Sequence, residues 1–174
     1  MAGRTTPPSE RPDASEMRVA VVGARFNADI TEALMDGALR CLKECGAPDP
    51  DLVWVPGAFE LPLACRELAV APSPTDVLAS ALARAAGPSR RYDAIVALGC
   101  VIRGETAHFD LVAGEASRAL MQVQLETGVP IGFGLVTTED HEQAVARAGG
   151  QHGNKGYDAA MAALEMAATL RKIH

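Results

Sequence analysis

From Arg18 onward the chain alternates short, unbroken apolar runs with longer stretches whose apolar residues recur every three or four positions. The runs at 19–23, 52–55, 94–98 and 130–136 are of strand length. They lack the alternating polar residues of a sheet with one wet face, so they predict strands buried on both sides. Between them the spacing is helical. Ile30, Leu34, Ala38 and Cys45, with Cys41 or Leu42, form one stripe. Asp29 and Glu32 stand in capping-box spacing at its start and Gly46 is placed to stop it. A second helix takes Pro62 into its first turn and runs to about Val70. Leu111, Val112, Ala116, Ala119, Leu120 and Val123 mark a third helix, closing at Gly128. A short helix capped by Thr137 or Thr138 runs to about Ala148, residues 149–156 read as a loop, and Met161, Leu164, Ala168 and Ile173 mark a last helix. Strands alternating with helices predict an α/β fold. It is a single three-layer αβα domain with a four-stranded parallel sheet and right-handed crossovers.

Two segments depart from this rhythm. Residues 1–16, with Pro7, Pro8 and Pro12 among polar residues, read as a flexible or extended arm before a domain over 17–174. Residues 72–91 form an insertion between the second helix and the third strand. In it Pro72, Pro74, Gly87 and Pro88 bracket Val77, Leu78, Ala81, Leu82 and Ala85, the pattern of a short extra amphipathic helix.

Composition narrows the function. A length of 174 residues suits one domain or one subunit of an assembly. The formal charge of −6 argues against nucleic acid as a partner. No apolar run approaches a bilayer span and the start lacks a secretory apolar region, so a cytoplasmic protein without a membrane partner is expected. Cys41, Cys45, Cys65 and Cys100 include no C-x-x-C pair and are expected as buried, reduced thiols.

The chemistry concentrates where the strands end. In parallel sheets ligands gather outside the carboxyl ends of the strands. There the chain places 24–27, 56–60 and 103–108. The last of these carries Arg103, Gly104, Glu105, Thr106 and His108 between a strand and a helix, which predicts an anion site at unpaired backbone N–H groups with a proton-transfer group beside it. Aromatics are only 4% of the chain, yet Phe26 and Phe59 fall in these segments and Phe109 just beyond. That clustering points to a flat ring as ligand. Walker and dinucleotide fingerprints are absent, and His108 with Asp110 makes only a weak metal pair. Taken singly, His108 and Phe26 also have structural readings, and Glu60 and Arg147 suit helix dipoles.

Several stretches together resemble lumazine synthases: 24–27, 55–62, 99–110, 137–139 and the loop from Arg147 to Gly156. The resemblance runs co-linearly from about Arg18 to the end. It implies a flavodoxin-like fold and a transferase of riboflavin biosynthesis that needs no metal and no organic cofactor. The substrates implied are a ribitylaminopyrimidinedione and a butanone phosphate. Carried over, it implies stacking of the pyrimidine on Phe26, with Phe59 in the same pocket, and Ala58 and Glu60 on the ribityl chain. It further implies ring recognition by the backbone at Cys100, Val101 and Ile102. Glu105 and Thr106 would hold the phosphate with Arg147, Lys155 would lie near it, His108 would move protons, and Phe133 would come from an adjacent subunit. A homo-oligomer is implied, as a pentamer or a 60-subunit icosahedral shell, with riboflavin synthase as a further partner. Leu111, where the family often has an aromatic residue, and the length of 72–91 are departures.

Overall fold

The computed structural model describes residues 11–70 and 92–173. Strands β1 (Val19–Ala24), β2 (Asp51–Val55), β3 (Ala94–Ile102) and β4 (Ile131–Thr138) form one parallel sheet in the order β2-β1-β3-β4. Helix α1 (Ala28–Glu44) follows β1, and a 3₁₀ turn (Ala58–Glu60) leads into α2 (Leu61–Val70) after β2. Helix α3 (His108–Thr127) follows β3; α4 (His141–Arg147) and α5 (Lys155–Ile173) follow β4. Between α4 and α5 lies a small antiparallel ribbon of β5 (Ala148–Gly150) and β6 (Gly153–Asn154).

Successive residues of a strand point to opposite faces, and here both faces are covered. Val19, Val21, Val96 and Leu98 pack with Ile30 and Leu34 of α1 and Leu164 of α5. Ala20, Val22, Ile95 and Ala97 pack with Leu61 and Cys65 of α2 and Leu120 of α3. This two-sided burial is why the strands read as unbroken apolar runs. The chain leaves β1 toward β2 on one side, while β3 and β4 lie on the other. The carboxyl ends of β1 and β3 therefore frame a crevice where the strand order reverses.

The fold class and the parallel sheet are as expected, and Gly46 and Gly128 close α1 and α3 with φ of 76° and 65°. Several local expectations are corrected. Helix α1 begins at Ala28 after Asn27, whose φ of 56° is left-handed. Asp29 lies inside the first turn and bonds His141 rather than capping the helix. Asp140 caps α4 by accepting from the Gln143 N–H at 2.8 Å. The Thr138 hydroxyl donates to the Asp140 carbonyl instead of capping that helix. Helix α3 starts at His108, so His108, Phe109 and Asp110 form its first turn. The loop expected over 149–156 holds the ribbon and the start of α5. The described part of the arm is docked, with Ala14 fully buried and its N–H on the Cys45 carbonyl. The extra helix expected at 77–85 lies outside the described residues. Among the described residues no helix is long and apolar enough to cross a membrane.

Candidate active site

At the carboxyl end of the sheet the loop after β1 is bonded both to the loop after β2 and to strand β3. The N–H groups of Arg25 and Phe26 donate to the carbonyls of Val55 and Pro56 at 2.8 and 3.2 Å, joining the loop after β1 to the loop after β2. Asn27 Nδ2 donates to the Cys100 carbonyl at 3.0 Å, joining the first loop to β3. Asparagine tolerates the left-handed backbone that aims its amide there.

The tied loops enclose a cleft of about 320 Å³, within the range of small-molecule sites. Phe26, Ala58, Phe59, Glu60, Val101, Ile102, Thr106 and His108 line it, so eight of the residues expected at a site meet in one place. Phe26 and Phe59 are 71% and 61% exposed, large flat rings held open to solvent rather than used as core. Glu60 is half-buried, and its carboxylate lies so near Gly57 that a Cβ there would come within 3.2 Å of it. Gly57, Gly104, Phe109 and Val112 complete the lining. Phe109 was legible as part of the aromatic cluster; Val112 carried only a helix-stripe signal.

The loop into α3 offers the anion site. The N–H groups of Glu105, Thr106 and Ala107 find no acceptor among the described residues, and α3 has no side-chain N-cap. The His108 N–H donates only weakly to Thr106 Oγ1, at 3.4 Å. Free N–H groups at the positive end of a 20-residue helix favour a phosphate. Arg103, at the start of this loop, is held by Asp110 and Glu139, which also push its pKa up.

Other expected residues lie outside the cleft. Cys100 does not line it: its thiol packs on the α1 face, where burial pushes its pKa up to about 11, and its carbonyl already accepts from Asn27. Glu105 is exposed beside the cleft without lining it. Phe133 sits in edge strand β4 opposite Ala97, four residues before Val101 and so about 13 Å down the sheet. It is 51% exposed. Arg147 ends α4, where its Nη1 donates to the Gln143 carbonyl at 2.9 Å. With Asp140, Glu142 and His152 it borders a separate depression of about 120 Å³. Lys155 pairs with Asp158 at 2.7 Å. Among the described residues no three His, Cys, Asp or Glu side chains are grouped to hold a metal.

The family model for 6,7-dimethyl-8-ribityllumazine synthase matches residues 16–171. The chain is 48% identical over 163 residues to the enzyme of that name from Edwardsiella ictaluri, covering 92% of this chain and 93% of that one. It is 43% identical over 163 residues to the enzyme of the same name from Clostridium kluyveri, covering 92% and 94% of the two chains. It is also 43% identical over 175 residues to that of Streptomyces avermitilis, with 99% and 97% covered.

Proposed function

The chain belongs to the 6,7-dimethyl-8-ribityllumazine synthase family, and from that premise we propose that the cleft between Phe26, Glu60 and His108 is its active site. The reaction condenses 5-amino-6-ribitylaminouracil with 3,4-dihydroxy-2-butanone 4-phosphate. It yields 6,7-dimethyl-8-ribityllumazine, the penultimate compound of riboflavin synthesis, with loss of phosphate and water. The observation that carries the placement is one apolar cleft lined by two open phenylalanines, a half-buried carboxylate and a histidine, beside helix-start amides that have no acceptor among the described residues.

In this reading the pyrimidine stacks on Phe26, with Phe59 beside it. Glu60 accepts hydrogen bonds from ribityl hydroxyls next to Ala58, and the backbone at Val101 and Ile102 meets the polar edge of the ring. The N–H groups at Glu105 and Thr106 hold the phosphate. The aromatic amine then attacks the ketone, phosphate leaves and the ring closes. His108 relays protons between these steps, a role worth about 10²–10⁴-fold. Holding two substrates together is worth roughly 7–11 kcal/mol, so positioning outweighs the histidine.

Family membership brings small-molecule substrates and a homo-oligomer. Phe133 and Arg147 lie away from their own chain's cleft and border open surface. They complete a neighbour's cleft in this reading, with Phe133 closing the ring site and Arg147 pairing with the phosphate. Leu111, Met121 and Leu125 on α3 are also more than half exposed. The assembly is built of pentamers, alone or as a 60-subunit shell. The enzyme works in the cytoplasm beside a riboflavin synthase that consumes its product. The test is to mix the purified protein with both substrates and follow lumazine absorbance, with molar mass by light scattering. Product from an oligomer supports the reading, and absence of product overturns it.

A further inference from the structure

Among the described residues, the loop that carries the anion site buries none of its side chains. Residues 103–108 are all exposed, and a Cβ built on Gly104 would touch nothing within 4 Å. Polar bonds therefore carry a large share in setting where Glu105, Thr106 and the start of α3 sit. The side chain with enough bonds to do so is Arg103. Its Nη1 and Nη2 donate to the two oxygens of Asp110 at 3.2 and 3.1 Å, a forked pair. Its Nε donates to Glu139, 2.9 Å from Oε2. Its guanidinium carbon lies 4.1 Å from the centre of the Phe109 ring, which lines the cleft. The backbone N–H of Arg103 is pinned as well, donating to the Thr138 carbonyl at 2.9 Å.

We propose that Arg103 is a positioning residue for the reaction: its fork on Asp110 and Glu139 and its stacking on Phe109 fix the 104–107 loop and the first turn of α3, and so aim His108 and the unpaired amides at the substrates. The proposal rests on the cleft being the site of the condensation. Direct phosphate binding by Arg103 is the competing role, and charge decides against it. One guanidinium set between two carboxylates leaves the cluster net negative, which repels a phosphate. A planar fork that also stacks is a task for arginine that lysine does not perform.

The test compares wild type, Arg103→Gln, Arg103→Lys and the double variant Asp110→Asn with Glu139→Gln. Turnover and both Michaelis constants are measured, together with amide hydrogen exchange of Asp110 and Leu111, whose N–H groups donate to the Ala107 carbonyl in the first turn. Arg103→Gln is expected to lower kcat by about ten- to a hundredfold, as a displaced catalytic group does. The Michaelis constant for the pyrimidine should stay within about twofold, because Phe26 stands on another loop. Arg103→Lys should not rescue turnover, and the double variant should reproduce the loss with the arginine still present. Exchange at Asp110 and Leu111, relative to each residue's free rate, should quicken by about tenfold in all three as the first turn loosens. Rescue by lysine, or a double variant that binds the phosphate substrate more tightly, would assign Arg103 to the phosphate and overturn the proposal. Unchanged exchange overturns it too, and is readable even if the wild type makes no product, the outcome that sinks the cleft reading instead. Should Arg103→Gln fail to fold, the double variant decides.

Discussion

His108 and Phe26 line one cleft from different loops, and their substitutions should fail in different ways. His108→Ala is expected to lower kcat by about 10- to 10³-fold with little change in either Michaelis constant, because proton transfer belongs to the transition state. Phe26→Ala should raise the Michaelis constant for the pyrimidine, since stacking stabilises the bound substrate as well. Steady-state kinetics separate the two, and a fully active His108→Ala would remove the histidine from the mechanism. The cysteines make a second prediction. Burial pushes Cys41 and Cys65 up to about 12 and Cys100 to about 11, from an ordinary 9.0. An acid whose pKa is raised on folding stabilises the fold below its unfolded value and loses that contribution as pH climbs toward the folded one. Stability should therefore fall from pH 9 upward, and thiol reagents at neutral pH should label these cysteines only after unfolding. Fast labelling of native Cys100 would contradict its placement on the α1 face. The roles legible from sequence at this scale were those of side chains at strand ends. The fork of Arg103 was not, because Asp110 and Glu139 reach it only once β3 and β4 end side by side.

At the scale of elements, the segment around Asn154 shows why a glycine-rich stretch reads as a loop and folds as a joint. Asn154 Oδ1 accepts from the N–H groups of Gly156 and Tyr157 at 2.9 and 3.1 Å, capping α5. Its Nδ2 donates to the Ala33 carbonyl of α1 at 2.8 Å. A Cβ on Gly156 would fall on the backbone of Leu34, and one on Gly37 would fall on the Asn154 amide. These two glycines let α1 and the start of α5 approach to backbone contact. Gly156→Ala is expected to cost about 1–3 kcal/mol, because the obstacle is main chain that cannot rotate away. Chemical denaturation measures it, and a change below about 0.5 kcal/mol would mean that the helices can part without loss. The strands, by contrast, were legible throughout, because burial on two faces leaves an unbroken apolar run. Helix starts were the least legible. Asn27 and Asp140, not Asp29 and one of Thr137 and Thr138, stand at the starts of α1 and α4, since sequence spacing does not reveal which side chain the preceding strand turns toward the helix.

For the whole molecule, the points where residues 72–91 join the described fold bear on what their removal would do. The joins at Val70 and Tyr92 lie at the end of α2 and just before β3, at the amino end of the sheet. β3 is nine residues long, so the cleft is roughly 25–30 Å away. Replacing residues 72–89 with two glycines is therefore expected to leave turnover per folded oligomer within a few-fold of wild type, while stability or subunit number changes. An intact oligomer that loses activity a hundredfold would place that segment at the chemistry. The proposed division of the site between copies comes from family resemblance alone. Phe133 and Arg147 are ordinary strand and helix-end residues in sequence, and their distance from the cleft emerges only from the register of β4 and the fold of α4.

The central claim, a condensation site built from the cleft of one copy and Arg147 of the next, is tested most directly by mixing subunits. His108→Ala and Arg147→Ala chains, each deficient alone, are co-expressed with different tags, and mixed oligomers are isolated through both. Around a ring with head-to-tail contacts and one-to-one random mixing, about a quarter of the interfaces pair an intact cleft with an intact arginine. The account predicts recovery of about that fraction of wild-type lumazine formation. Mixed oligomers no more active than the average of the two variants would contradict it, because each site would then be complete within one chain.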